Sequence, residues 1–209
     1  MKNKLPFTPN KTKVCIICEG SEEFDCLKRL INIEVWNSDY QIILKNADEN
    51  GNIFARYQNE FQNDNYDLIL VFCDTEKKPY EQYDDIKLKI NSFHKAFISN
   101  KIIIFGNPCT LQIILLHFKN IKLKSPSKSV NSSIVEELTG VKNYKGKSRQ
   151  REQIFALINK RNYQTMIRRV SKLSNNDKEI GSSNFDIFAK HLEGDLLELI
   201  KEVDKKISK

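Results

Sequence analysis

The sequence predicts an α/β fold, in which a parallel sheet of about four strands is flanked by helices and followed by a basic, helical C-terminal extension. Two observations support this. Short apolar runs such as 14–18 and 68–73 are bounded by turn-forming residues, as expected of strands buried on both faces of a parallel sheet. Segments with apolar residues at helical spacing separate these runs.

The elements follow in order from the N-terminus. Strands are predicted at 13–18, 41–44, 68–73 and 101–105. Helices are predicted from residue 21, where Glu22 and Glu23 suit a helix N-terminus, and then at 53–61, 83–97 and 111–118. Parallel strands of one sheet are joined by right-handed crossovers, so residues 1–118 are expected to form one α/β core.

The remainder of the chain, residues 119–209, is predicted to be a basic helical cap packed on the core. Its helices are expected at 130–138, 149–159, 163–173 and 185–207. A separate small lobe is the alternative. Residues 119–172 carry 14 Lys and Arg against 3 Asp and Glu, so all the excess positive charge of the chain lies there. Such a segment is typical of a surface that binds a polyanion, although a solvated lysine-rich helical face would have the same composition.

Composition narrows the class of protein. The chain has five cysteines, and its polar N-terminus lacks a secretory pattern, which argues against a disulfide framework and favours a cytoplasmic location. Cys15 and Cys18 point to opposite faces of one strand and are expected in the core, not at a zinc or redox site. The longest apolar run, 111–118, is far below the roughly 20 residues that span a bilayer, so no membrane segment is expected.

Acidic side chains follow two of the predicted strands. Glu19 comes directly after the first strand, and Asp74 and Glu76 follow the third. In parallel sheets, ligands bind beyond the carboxyl ends of the strands, where the strand order reverses. Oxygen ligands of this kind suit Mg²⁺ or Mn²⁺, so the three acids form a candidate metal site. The alternative is that they are loop or helix-capping residues.

Three segments carry a resemblance to a known family. They are 16–20 (Ile-Ile-Cys-Glu-Gly), 70–76 (Leu-Val-Phe-Cys-Asp-Thr-Glu) and 106–109 (Gly-Asn-Pro-Cys) running into 115–118 (Leu-Leu-His-Phe). Together they resemble the RloB family, whose members carry a Toprim-like catalytic core. Weaker similarity continues at 144–147 and 181–184. The resemblance implies a bacterial defence role, beside restriction or ATPase components, and Mg²⁺-dependent chemistry on nucleic acid.

The resemblance also implies roles for single residues. Glu19 matches the first-strand glutamate of Toprim cores, a metal ligand or general acid/base, and Asp74 and Glu76 match the acidic pair after the third strand. Glu76 stands where Asp is usual, which lengthens that ligand arm by one methylene. His117 is a candidate for proton transfer or, alternatively, a packed histidine. Gly20 and Asn107 are expected at the rim of the site.

These expectations combine into a functional hypothesis. The chain is predicted to be a Mg²⁺-dependent Toprim-type nuclease acting on DNA or RNA in antiphage defence. A catalytically degenerate protein that binds nucleic acid or a partner ATPase is the alternative, and both nucleotidyl transfer on the same acids and a homodimer stay open. The residues expected to contact nucleic acid are Lys77, Lys78, Lys145, Lys147, Arg149, Arg151, Arg168 and Arg169.

Overall fold

The computed structural model describes residues 11–48, 52–76 and 78–207 of the chain. Across these ranges, every helix is too short or too polar to cross a membrane. In chain order the elements are β1 (Thr12–Cys18), α1 (Ser21–Asn32), β2 (Tyr40–Asn46), α2 (Ile53–Gln62), β3 (Leu68–Asp74), α3 (Glu81–His94), α4 (Ser99–Ile102), β4 (Ile103–Gly106), α5 (Leu111–Leu116), α6 (Lys128–Thr139), α7 (Ser148–Ala156), α8 (Lys160–Val170), α9 (Phe185–Glu193) and α10 (Leu196–Ile207).

The four strands form one parallel sheet in the order β2-β1-β3-β4. The apolar residues of the central strands β1 and β3 are buried, as their continuous apolar sequences predict. The chain passes from β1 out to β2 and then returns to β3 on the other side of β1, so the strand order reverses between β1 and β3. The predicted α/β class, with four parallel strands, flanking helices and a helical C-terminal segment, is confirmed.

A segment after α8 closes the free edge of β4. The side chain of Asn184 accepts a hydrogen bond from the Phe105 N–H (2.8 Å) and donates one to the Ile103 carbonyl (2.8 Å), as a further strand would. Ser183 pairs antiparallel with Gly106, and its hydroxyl donates to the Phe105 carbonyl (2.7 Å). The backbone groups at this edge are therefore satisfied without another strand.

We expect Asn184→Ala to lower the free energy of unfolding by about 2–4 kcal/mol, because it leaves two buried backbone groups of β4 unpaired, at roughly 1–3 kcal/mol each. Denaturant unfolding would measure the change. Asn175→Ala, at an exposed asparagine of the preceding loop, is the matched control and should change stability by less than about 0.5 kcal/mol. Equal effects of the two substitutions would contradict the edge-closing role of Asn184.

In two places the structure divides a predicted element, in addition to shifts of a few residues at other element ends. The helix expected over 185–207 is two helices, because Gly194 follows the end of α9 and the Asp195 Oδ1 then accepts the N–H groups of Leu197 (3.0 Å) and Glu198 (3.3 Å). The strand expected from residue 101 begins at Ile103, since the residues before it form the short helix α4.

Helices beyond residue 118 share the apolar core of the sheet. Phe185 of α9 lies against Phe72 of β3, with ring centroids 5.8 Å apart, and Tyr163 of α8 is fully buried. The Arg29 side chain of α1 donates two hydrogen bonds to the Ile158 carbonyl, at 2.9 and 2.5 Å. The division of the chain at residue 118 into core and cap stays a prediction.

Candidate active site

The ends of β1 and β3 bring Glu19 and Asp74 together. Glu19 follows β1, and its backbone N–H donates to the Phe72 carbonyl of β3 (2.9 Å). Its Oε2 accepts a hydrogen bond from the backbone N–H of Asp74 (2.7 Å). Both residues are partly exposed. The two acids therefore lie side by side where the strand order reverses.

The turn after β4 orients Asp74. The backbone N–H and the hydroxyl of Thr110 both donate to Asp74 Oδ1, at 2.5 and 2.8 Å. Gly106 allows this tight turn, because a Cβ at that position would lie 2.9 Å from the carbonyl oxygen of Cys109. Sequence reasoning missed Thr110, and the available signal was a hydroxyl residue in the turn that directly follows a buried strand.

The first turn of α1 adds two more carboxylates. Glu22 and Glu23 are only 7% and 4% exposed, although the sequence indicated them as helix-start residues. Glu23 Oε2 accepts the N–H of Gly20 (3.0 Å). Glu22 Oε1 accepts the Tyr144 hydroxyl, and its Oε2 lies 3.2 Å from Lys128 Nζ. The partial positive charge of the helix N-terminus favours acids there. We call Glu19, Glu22, Glu23 and Asp74 the acid cluster.

Crowding raises the pKa values of three members of the acid cluster. Burial, followed by the charge of Glu23, raises the pKa of Glu19 to about 8. Burial and the charges of Glu23 and Glu19 raise the pKa of Asp74 well above its usual value. Burial and the charge of Glu22 raise the pKa of Glu23. The free protein thus disfavours full ionisation of the cluster, a penalty that a bound cation would relieve.

The oxygen donors of the acid cluster are those that Mg²⁺ and Mn²⁺ prefer. Within the described ranges, no three His, Cys, Asp or Glu side chains form a group that could hold a metal ion by themselves. Mg²⁺ commonly takes only one or two carboxylates and completes its shell with water and substrate phosphate. Hydrogen bonds from described residues orient Asp74 through its Oδ1 and Glu19 through its Oε2. This pair therefore fits such an ion.

The third predicted metal ligand, Glu76, lies on the loop after β3. Its backbone is in the left-handed region (φ 57°), and its side chain is partly exposed. Its charge also raises the pKa of Glu19, so the two carboxylates are near one another. The metal role of Glu76 stays a prediction. Lys78 is exposed on the same loop, and Lys77 lies outside the described residues.

His117 follows α5 and is 2% exposed. Its Nδ1 hydrogen-bonds with the Ile114 carbonyl (3.0 Å), and its Nε2 has no hydrogen-bond partner in the described part of the chain. Burial lowers the pKa of His117 to about 4, so the ring is neutral at physiological pH. These contacts are those of a packed histidine, and the catalytic role of His117 stays a prediction.

The two predicted rim residues differ in their surroundings. Gly20 lies at the acid cluster, since its N–H donates to Glu23. Asn107 is fully buried, and its Nδ2 donates to the Asp177 carbonyl (2.8 Å). The amide nitrogen of Asn107 therefore attaches the loop before α9 to the end of β4, and the rim role of Asn107 stays a prediction.

The six basic residues predicted in the C-terminal half fall into two groups. Two of them hold the fold together: Arg151 Nε lies 2.7 Å from Asp25 Oδ2, and Arg169 Nη1 donates to the Leu116 carbonyl (2.7 Å). The other four side chains are exposed and available to a ligand: Lys145, Lys147, Arg149 and Arg168. The two groups differ in side-chain burial and in pairing with other residues, and both properties depend on tertiary packing.

Comparison of the chain with protein-family models, with curated proteins and with solved structures finds no match. Function is therefore inferred from the geometry of the site and from the residues that build it.

Proposed function

We propose that the chain is a Mg²⁺- or Mn²⁺-dependent nuclease of the Toprim type that hydrolyses phosphodiester bonds in nucleic acid. The observation that supports this most strongly is the Glu19–Asp74 pair, set where the strand order reverses and inside a cluster of mutually repelling carboxylates. The resemblance to the RloB family extends the proposal to antiphage defence in the bacterial cytoplasm, beside a partner ATPase.

Asp74 and Glu19 have different roles in the proposed reaction. Asp74, oriented by Thr110, would hold the cation. When bound, the divalent ion polarises the phosphate and lowers the pKa of the attacking water. Two roles stay open for Glu19: a second metal ligand, or a general acid that gives a proton to the leaving oxygen. The pKa of about 8 means that Glu19 of the free protein retains a proton at neutral pH, as the second role requires.

The exposed basic residues would hold the substrate. Residues 119–172 have a net charge of +11, from 14 Lys and Arg and 3 Asp and Glu, and four of the predicted contact residues there are exposed. Lys and Arg side chains that neutralise phosphates release condensed counterions, so binding should weaken steeply as salt increases. The cleavage test below compares single-stranded with duplex substrates.

The direct test is cleavage of labelled single-stranded and duplex DNA and RNA in Mg²⁺ or Mn²⁺, with EDTA in parallel reactions. We expect metal-dependent cleavage that Asp74→Ala lowers more than about 100-fold, since even residues that merely support metal ligands cost 10- to 100-fold when replaced. Asp204→Ala, at an exposed acid of α10, should cleave like the wild type. Absence of cleavage with every substrate and metal would contradict the proposal.

The two groups of basic residues should respond differently to substitution. We expect Arg149→Met to weaken oligonucleotide binding several-fold without changing stability, because its side chain is exposed. Arg151→Met should instead destabilise the protein by about 1–3 kcal/mol, since it leaves the partly buried Asp25 without its partner. Fluorescence anisotropy and thermal unfolding of both variants would measure these effects. If the two variants changed oligonucleotide affinity and thermal stability in the same way, the division into exposed and structural basic residues would be wrong.

A second candidate function is a non-catalytic protein that binds nucleic acid or a partner ATPase through the basic helices. The observation that favours it is the charge of residues 119–172, which does not depend on the acid cluster. Such a protein should bind nucleic acid equally well with EDTA and with Asp74→Ala. Unchanged binding together with no cleavage would support it.

A further inference from the structure

Lys128 forms an ion pair with Glu22 of the acid cluster. Its Nζ lies 3.2 Å from Glu22 Oε2, while the other carboxylate oxygen of Glu22 accepts the Tyr144 hydroxyl. The Glu22 side chain is 7% exposed, whereas the Lys128 side chain is 44% exposed. The ammonium group is therefore accessible from solvent while it contacts a buried carboxylate.

The position of Lys128 in its helix is electrostatically unfavourable. Lys128 is the first residue of the 12-residue helix α6, and Ser127 before it makes no side-chain capping hydrogen bond. The N-terminus of a helix carries partial positive charge, so a lysine there raises the local positive potential. An anion beside Lys128 relieves this repulsion, and in the free protein Glu22 supplies that anion.

The loop before α7 shapes the space that Lys128 occupies. A Cβ on Gly146 would lie 2.7 Å from Lys128 Nζ, and the φ of Gly146 is +73°. Arg151 holds this loop in place, because its guanidinium donates to the Gly146 carbonyl and pairs with Asp25 of α1. The Lys128 side chain therefore lies between the loop at Gly146 and the first turn of α1.

Lys128 also acts on the predicted catalytic pair. Its charge lowers the pKa of Glu19, opposing the larger effects of burial and of Glu23, so the ammonium group lies within electrostatic range of Glu19. A phosphate next to the Glu19–Asp74 pair would thus be attracted by both the Lys128 ammonium group and the N-terminus of α6.

We propose that Lys128 binds a phosphate of the nucleic-acid substrate beside the Glu19–Asp74 pair and that Glu22 holds the ammonium group in position until substrate arrives. This inference rests on the proposed function. The competing interpretation makes Lys128 a structural counter-ion of Glu22 and nothing more. The two differ in what happens to nucleic-acid affinity when either partner is neutralised.

The experiment measures oligonucleotide binding by anisotropy in EDTA, which stops cleavage, for wild type, Lys128→Met, Lys128→Arg and Glu22→Gln. Lys128→Met should weaken binding about 5- to 10-fold and lower the slope of log affinity against log salt by about 0.7 for single strands or 0.9 for duplex, the value for one phosphate contact. Lys128→Arg should retain most of the affinity. Glu22→Gln should strengthen binding, because it frees the ammonium group from a competing anion.

Lys201→Met, at an exposed lysine of α10, is the control for loss of one positive charge and should change binding less than 2-fold. Unchanged affinity and salt slope for folded Lys128→Met, or weaker binding by Glu22→Gln, would overturn the proposal.

A second experiment, in which electron paramagnetic resonance measures Mn²⁺ binding to the same variants, separates this inference from the proposed function. If the wild-type protein neither bound Mn²⁺ nor cleaved nucleic acid, the proposed nuclease function would be wrong. The role of Lys128 would still be tested, because it is measured by nucleic-acid binding alone.

Discussion

Asp74→Asn should make the metal-free protein more stable while it abolishes metal-dependent cleavage. Burial and the charges of Glu23 and Glu19 raise the pKa of Asp74 well above its usual value, so the folded protein at pH 8 bears a cost for this carboxyl group that the unfolded chain does not. Asparagine retains the oxygen that accepts both hydrogen bonds from Thr110 and removes the charge. Stability and activity therefore change in opposite directions.

We expect a gain in the free energy of unfolding and in Tm at pH 8 in EDTA that exceeds the roughly 0.5 kcal/mol of an ordinary surface substitution. The gain should shrink at pH 5, where the raised pKa lets the wild-type Asp74 take up a proton at lower cost. Calorimetry at the two pH values measures the difference. Asp204→Asn on α10 controls for loss of one surface acid and should leave Tm within about 1–2 °C. A loss of stability in Asp74→Asn at pH 8 would show that the carboxylate is not strained in the free protein.

The stability of the metal-free wild type should fall as pH rises from 6.5 to 8. Glu19, with a pKa of about 8, retains a proton in the folded state at pH values where the unfolded chain has lost it. The folded state then binds more protons, and stability decreases by about 1.4 kcal/mol per pH unit for each proton retained. Asp74 and Glu23, whose pKa values are also raised, act in the same direction.

Other titrating groups contribute at both ends of the window from pH 6.5 to 8. At the low end, the unfolded chain protonates His117 and His94 around pH 6.5. Burial lowers the pKa of both residues in the folded protein, to about 4 for His117, so they add a slope of opposite sign. Above about pH 8.5 the buried thiols of Cys26 and Cys73, whose pKa values burial raises, add to the loss. Denaturant unfolding at several pH values in EDTA would measure the slope.

Added Mg²⁺ or Mn²⁺ should flatten the slope of stability against pH, because a bound cation favours the ionised carboxylates. The metal-dependent increase in Tm should therefore be larger at pH 8 than at pH 6.5. Glu19→Gln is the matched variant and should show a shallower slope in EDTA. A stability that rises through this window in EDTA would contradict the raised pKa values of the acid cluster.

Much of the fold could be predicted from the sequence because apolar runs and helical periodicity are local signals. Buried strands such as 68–73 need continuous apolar sequence, and the structure places β3 at that position. The break between α9 and α10 escaped prediction, since the periodicity continues across Gly194 and Asp195 and capping geometry decides the boundary. The pairing of Asn184 with β4 joins residues about 80 positions apart and leaves no periodic signal.

The sequence by itself determined that the protein is α/β, that Glu19 and Asp74 follow apolar strands, and that positive charge concentrates after residue 118. Only the tertiary structure decided which acids share one environment, since Glu22 and Glu23 enter it through the packing of α1 beneath Tyr144. The tertiary structure also decided which basic side chains are exposed to a ligand and which form ion pairs within the protein, as Arg151 does with Asp25. The physical reason is that burial and the resulting pKa shifts depend on groups distant in sequence, whereas strand and helix patterns depend on neighbours.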